Sequence, residues 1–218
     1  MAMITKEEFA AMQDHTAIAR SDTEEDVFRG CEETLQYGFG AIYMWPCHIA
    51  AARKRFGNTI RIGTGIYGAC HITNGRIVSA LDAIEAGADN IDVMINISKI
   101  RSGDDAYARE ELTAFTNACK KAKPDVTVKV LLEACYFKYE EKCRAIEAIL
   151  ASGADVIKTT SGAGPWACRP SDVRLIKSIV GDKIIIKAAG DMEDAGPALM
   201  AIHEGAREIG SHTAIIQM

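Results

Sequence analysis

One local pattern recurs along this chain: a helix closes on glycine, a small residue follows, and an apolar strand begins. It is written as Glu85-Ala86-Gly87-Ala88-Asp89, as Leu150-Ala151-Ser152-Gly153-Ala154-Asp155 and as His203-Glu204-Gly205-Ala206-Arg207. Glycine suits the closing position because it alone takes the left-handed conformation at little cost. Each copy is therefore the αβ corner of a repeating unit. Apolar strand signals lie at 41–44, 60–64, 90–95, 126–133, 155–159, 184–188 and 207–209, and a short piece at 12–16 makes the eighth. Runs as apolar as Lys183-Ile184-Ile185-Ile186 suit a parallel sheet covered by helices. Eight strands joined by helices predict an α/β fold, a closed (β/α)8 TIM barrel, with residues 1–218 as a single domain. An open doubly wound sheet is the alternative, and the strand count disfavours it.

Ahead of the repeats, Thr5 with Glu8 reads as a capping box opening a short helix over 4–13. Thr23, followed by Glu24, Glu25 and Asp26, opens a second helix that ends near Tyr37-Gly38.

Function in a barrel belongs at the C-terminal ends of the strands, and the unusual polar residues gather there. Alternation along a strand decides which of them point inward. In Ile91-Asp92-Val93-Met94-Ile95-Asn96 the branched residues suit the helix-covered face, so Asp92 points into the barrel. The same parity turns Lys158 inward with Val156, and Lys187 inward with Ile185 and Ala189. Lys129 and Glu133 share a face of the fifth strand, as Asp14 and Thr16 do on the first piece.

Two inward lysines beside a carboxylate make a chemical kit. A lysine amine with a pKa near ~10.4 is almost wholly protonated at neutral pH and a poor nucleophile. A second ammonium close by, in a partly dry cavity, is expected to lower that pKa and free an amine that condenses with an aldehyde or ketone. The resulting imine is an electron sink, so a neighbouring carbon–carbon bond can break, with Asp92 moving protons. The competing reading is a buried ion-pair network that only sets packing.

Composition narrows the field further. Acids outnumber bases 30 to 25, a net charge of −5, which argues against nucleic-acid or anionic-membrane partners. No apolar run approaches the roughly 20 residues of a membrane span. Seven cysteines form an odd count without a C-x-x-C pair, and no signal segment opens the chain, so a reducing cytoplasm is the expected setting. The thiols read as packing residues, with Cys47 and Cys70 the two that could touch a ligand. Five histidines lack metal-ligand spacing, so no metal and no cofactor are expected. His15 and His71 could line the barrel mouth, although a satisfied histidine is the commoner case. Gly63-x-Gly65-x-x-Gly68 matches a dinucleotide fingerprint, but the residues that follow do not read as opening a helix, and a mobile substrate loop fits better. Trp166 and Arg169 either cover the substrate or pack at the rim.

Several motifs, in order, carry a resemblance. They are Met12-Gln13-Asp14-His15-Thr16, Ile91-Asp92-Val93-Met94-Ile95-Asn96-Ile97, Val128-Lys129-Val130-Leu131-Leu132-Glu133, Val156-Ile157-Lys158-Thr159-Thr160-Ser161-Gly162 and Ile186-Lys187-Ala188-Ala189-Gly190. From about residue 12 to about residue 212 the chain resembles the deoxyribose-phosphate aldolase family. The resemblance implies a class I, metal-free aldolase on a (β/α)8 barrel, acting on a small-molecule aldehyde or sugar. It implies Lys158 as the Schiff-base lysine, Lys187 as the lysine that tunes it and Asp92 as the proton relay. It sets Asp14, Thr16, Thr160 and Gly162 against the substrate or its water network. Gly190, Asp191, Gly210, Ser211 and His212 belong, on the same resemblance, to the far end of the substrate site.

There the sequence departs from the family. Its members usually follow the second lysine with small residues and Gly-Gly-Ile/Val-Arg-Thr, which helps hold a phosphate; here the stretch is Gly190-Asp191-Met192-Glu193-Asp194. Three carboxylates in the first turn of a helix would repel a phosphate dianion. The last loop, Gly210-Ser211-His212-Thr213, keeps the family's hydroxyls and adds a histidine, and the family's common Phe-Pro after the third strand is absent. The expected activity is aldol chemistry on a substrate whose far end is neutral or cationic. A barrel that binds a sugar-like ligand without turnover, and a phosphate-binding isomerase or synthase, are the alternatives. A homo-oligomer is compatible with the sequence.

Overall fold

The structure, a computed structural model, describes residues 4–67 and 72–212. Expectations for Gly68, Cys70, His71 and Thr213 lie outside those residues. Eight parallel strands close into a barrel in the order β1 to β8. They are β1 Gln13–Ala17, β2 Ala41–Met44, β3 Ile62–Ile66, β4 Asn90–Met94, β5 Thr127–Leu131, β6 Val156–Lys158, β7 Ile185–Ala189 and β8 Glu208–Ser211. The main helices between them are α2 Glu24–Tyr37, α3 Pro46–Phe56, α4 Thr73–Glu85, α6 Asp105–Ala122, α7 Tyr139–Ala151, α8 Pro170–Val180 and α9 Ala195–His203. Two short ones, α1 Lys6–Ala11 before β1 and α5 Ile97–Arg101 after β4, complete the α-helices among the described residues, and a 3-10 turn spans Ala134–Tyr136. The open sheet is thereby excluded, and the seam is closed by pairing β1 with β8 through Gln13↔Ile209 and Asp14↔Gly210.

The helix signals have the physical basis expected of them. Thr5 and Glu8 reciprocate across the start of α1, and Thr23 with Asp26 does the same for α2. Gly38 ends α2 in the left-handed region. Gly87, Gly153 and Gly205 have φ of 114°, 77° and 118°, so the repeated corner depends on glycine at all three sites.

The aspartate of that corner has a further job. At Asp89 the carboxylate accepts from the Ile62 amide at 2.9 Å, the first N–H of the neighbouring strand, and pairs with Arg53 and Lys123 at 2.7 and 2.6 Å. Asp155 repeats this with the Val128 amide at 2.8 Å and Lys120 at 2.7 Å. These two corners thus supply a carboxylate acceptor to an amide at the start of the strand before them, Ile62 being the first residue of β3 and Val128 the second of β5.

Strand parity sorts the side chains into two layers. Ile91, Val93, Val128, Val130, Ile157, Ile186, Ala188 and Ile209 face the helices and join one apolar core with Leu112, Phe115, Ile146, Ile149, Val173 and Ile176. The opposite face of the strands points into the barrel and carries the charged residues. Sequence boundaries were displaced most at β3, which starts two residues later than expected, a shift that preserves parity.

Replacing Asp89 with Ala removes the acceptor of the Ile62 amide and strands two cations. A loss of about 1–3 kcal/mol is expected, the usual cost of an unsatisfied buried polar group, read as a lowered urea midpoint with unchanged slope. Burial would raise the Asp89 pKa, but Lys123, the Ile62 amide and Arg53 hold it below its ordinary value. Its contribution is therefore present above the unfolded pKa near ~3.9 and fades as pH falls through the folded value; in the variant, that acid-side loss shrinks.

Candidate active site

Inside the barrel the inward residues form one charged network. The Lys158 ammonium donates to Asp92 Oδ2 at 3.1 Å. Lys187 donates to Asp14 Oδ2, and Lys129 donates to the same oxygen at 2.8 Å and to Glu208 Oε2 at 2.5 Å. Lys158 and Lys187 stand directly beside one another in the β6–β7 register. Asp92 is fully buried and its second oxygen, Oδ1, has no hydrogen-bond partner. Lys158 is 7% exposed and Lys187 1%, so Lys158 is the more open of the two.

Aromatic rings fill the space around these charges. Tyr43, on β2, lies with its ring centroid 4.0 Å from the Lys187 nitrogen, 5.5 Å from that of Lys129 and 6.0 Å from that of Lys158. Tyr67, just beyond β3, has its centroid 5.5 Å from the Lys158 nitrogen. Both rings need the glycines of β3. A Cβ on Gly63 would stand 2.5 Å from Tyr43 Cζ, and one on Gly65 would stand 2.0 Å from Tyr67 Cζ. The spacing that resembled a dinucleotide fingerprint is thus a steric allowance for two tyrosines. Helix α4 does open at Thr73, inside the stretch expected to stay non-helical; what removes the dinucleotide reading is the closed barrel, which lacks the crevice of an open sheet.

The charges do not tune Lys158 in the expected direction. Burial disfavours its ammonium, but Tyr67 and the Asp92 carboxylate outweigh burial and hold the pKa above the ordinary lysine value. Lys187 is the lysine whose pKa is lowered, by burial first and then by Lys129 and Lys158 against the pull of Asp14. The two lysines touch different carboxylates, Lys158 being turned to Asp92 and Lys187 to Asp14. Asp14 itself would be raised by burial, yet Lys129 and Lys187 bring it down to about 2.

At the C-terminal end of the barrel a cavity of about 120 Å3 opens over Lys158 and Lys187. Thr16, Gly162, Gly190, Asp191, Gly210, Ser211 and His212 line it, as does Glu193. Asp14, Asp92 and Thr160 are not in its lining. Asp14 lies deeper as the counter-ion of two lysines, and Asp92 lies behind Lys158. Thr160 is tied into its loop, donating to Glu133 at 3.1 Å and accepting from the Gly162 amide at 3.2 Å. Glu133 also accepts from the Ser161 amide at 2.7 Å. Gly162 and Gly190 stand back to back, since a Cβ on Gly190 would lie 3.2 Å from the Gly162 Cα and one on Gly210 would lie 3.2 Å from Lys187 Cε.

The acidic stretch is arranged differently from expectation. Helix α9 starts only at Ala195, so Asp191 and Glu193 precede it rather than filling its first turn. Asp191 has φ 55°, the left-handed region, where the family pattern has its second glycine. Glu193 stands where the pattern has arginine, and it accepts from the Ser211 hydroxyl at 3.0 Å and from the His212 amide at 3.4 Å. The His212 ring meets Thr16 Oγ1 at 2.6 Å.

Other candidates resolve simply. His15 faces outward and pairs with Glu33 at 2.8 Å. Trp166 stacks on Arg169 at 4.9 Å, away from the cavity lining. Cys47 is exposed, and the six described cysteines are all free. Among the described residues no helix is long and apolar enough to cross a membrane, and no group of three His, Cys, Asp or Glu is placed to hold a metal. Tyr43 and Tyr67 were missed from sequence. The signal was parity: Tyr67 shares a face with Gly63 and Gly65, and Tyr43 with Ala41.

Comparison with known proteins identifies the family and the fold. The model of the family "DeoC/LacD family aldolase" matches residues 9–211. A protein of Caldanaerobacter subterraneus subsp. tengcongensis named deoxyribose-phosphate aldolase is 34% identical over 220 residues, covering 98% of this chain and 95% of the relative. One of the same name from Aciduliprofundum boonei is also 34% identical, covering 95% and 94%. The solved structure described as "QR15, an Aldolase" superposes with a TM-score of 0.86 at 26% identity over 97% of this chain and 92% of its own. The fold is shared as well with the Aeropyrum pernix deoxyribose phosphate aldolase, whose own structure is described as tetrameric, at a TM-score of 0.88 and 23% identity over 99% and 92%. With a family match across almost the whole barrel and relatives this similar, the chain belongs to the DeoC/LacD family of aldolases.

Proposed function

We propose that this class I aldolase works through an imine on Lys158 and takes a small aldehyde or sugar whose far end carries no phosphate. The observation that carries the first half is the buried Lys158–Asp92 contact at 3.1 Å, at the floor of the cavity. As substrate enters, the ammonium passes a proton to Asp92, and the freed amine adds to the carbonyl carbon. Asp92 returns the proton to the carbinolamine oxygen, water leaves, and a protonated imine remains. Its positive nitrogen draws the electrons of the neighbouring carbon–carbon bond, which breaks as the β-hydroxyl passes its proton to the Asp92 carboxylate through water and becomes an aldehyde. Lys187, neighbouring Lys158 in register and held by Asp14, keeps the surroundings of the imine positive and its hydrolysis balanced.

The second half rests on Glu193. The Ser211 hydroxyl and the His212 amide, donors suited to an anion, are already engaged by its carboxylate. A phosphate placed there would meet a charge of its own sign. Unit charges roughly 4 Å apart repel by about 4 kcal/mol at an effective dielectric of about 20, enough to reverse a preference. A hydroxyl or an amine would instead find an acceptor.

Mixing the protein with acetaldehyde and borohydride is expected to leave a stable adduct on Lys158, and Lys158→Ala to leave none. Because Lys158 is held protonated, the trapping rate should climb with pH through the neutral and alkaline range. Asp92→Asn removes the carboxylate that favours the ammonium, so its climb should begin at lower pH while its maximum falls by about 100-fold or more with the loss of the relay. Steady-state kinetics with deoxyribose and deoxyribose 5-phosphate test the far end. The unphosphorylated sugar should match or exceed the ester in kcat/KM, and Glu193→Gln should shift the ratio toward the ester by about 10-fold or more, a change of about 1.4 kcal/mol. A large wild-type preference for the ester would sink this part of the reading.

A further inference from the structure

Aldol cleavage leaves an enamine on the lysine, and its terminal carbon must receive a proton before the product can leave. Asp92 is poorly disposed for this, because it is fully buried and its bonded oxygen is committed to the lysine nitrogen, whereas Tyr67 is half-buried. We propose that the phenol of Tyr67 is the acid–base group that exchanges the proton at the enamine carbon. This rests on the imine at Lys158 proposed above.

Three observations converge on Tyr67. It follows the C-terminal end of β3, the end of the barrel where substrate enters. Its ring centroid lies 5.5 Å from the Lys158 nitrogen, and the enamine carbon is only two bonds from that nitrogen, within reach of the phenol after a small displacement. The fold also makes room for it: an added Cβ at Gly65 would stand 2.0 Å from Tyr67 Cζ and 2.5 Å from its hydroxyl oxygen. Tyr43, the other inward phenol, is nearer Lys187 than Lys158, at 4.0 against 6.0 Å. Burial raises the pKa of both phenols; Asp92 and Asp14 add to it at Tyr43, whereas at Tyr67 Lys158 works against it while Asp92 adds to it.

The step balances without another reactant. The Tyr67 O–H bond breaks and its proton bonds to the enamine carbon through the C=C π pair. The nitrogen lone pair becomes the second bond of an iminium, which faces the new phenolate. Water then adds to the iminium carbon and gives its proton to the phenolate, restoring the phenol. In the synthetic direction the phenolate removes the α-proton and the same events reverse.

The test separates the two proposals. Acetaldehyde incubated with protein in D2O gains deuterium at its methyl carbon only through the enamine, whereas borohydride traps the imine directly. Tyr67→Phe is expected to keep adduct formation within about threefold while slowing deuterium uptake about 100-fold or more. Gly65→Ala, which displaces the ring and leaves the phenol intact, should show the same split. Deuterium uptake within about threefold of wild type in Tyr67→Phe would overturn the assignment. So would an equal loss of trapping and uptake, which would make Tyr67 a prop for the amine. Wild-type protein that forms no trapped adduct would overturn the imine itself.

Discussion

The interior of this barrel is held together by opposed charges largely withdrawn from water. Lys129, Lys158 and Lys187 face Asp14, Asp92 and Glu208, and Asp14 alone serves two of the lysines. Taking such groups out of water costs several kcal/mol each, and only close, well-directed pairing offsets it. The arrangement is consequently intolerant of partial change: deleting one member leaves a buried charge unmatched, which is worse than having no network. An apolar interior would be the easier way to fill a barrel. What the charges supply is an amine beside a carboxylate in a water-poor setting, with a proton shared between them.

Steric allowances make that setting reachable. Glycines at 63, 65 and 210 stand opposite Tyr43, Tyr67 and the stem of Lys187, so the large groups fit only because the small ones yield space. The rings then bring their faces to the ammonium groups, an attraction of about 0.5–2 kcal/mol for a desolvated pair. Packing and electrostatics are therefore not separable here. A methyl group added to β3 would act on the chemistry of β6.

Much of this was legible in the sequence because it depends on period and local chemistry. Alternation within Ile91–Ile95 and Ile184–Ala189 is enough to turn Asp92 and Lys187 inward, and glycine at the ends of α4, α7 and α9 is enough to mark the corners. The contacts of Asp14 were not legible, since its partners lie 115 and 173 residues away and no local pattern names them. The sense of the Lys158 shift was misread for a related reason: proximity to Lys187 can be read from register, but which carboxylate each lysine touches cannot. Tyr67 was hidden by a glycine pattern that had a more familiar meaning. The acids at 191 and 193 were placed in a helix because their position before Ala195 depends on the left-handed turn at Asp191.

The order of the charges along the chain has a consequence for assembly. Asp14 and Asp92 belong to the first four strands, whereas all three lysines arrive with the last four. A ribosome releasing this polypeptide presents an interior that is acidic before its basic complement exists. Neither half can bury its inward face alone, so closure must be concerted, and the two halves, if separated, would attract one another through the same surfaces that later become the reaction chamber.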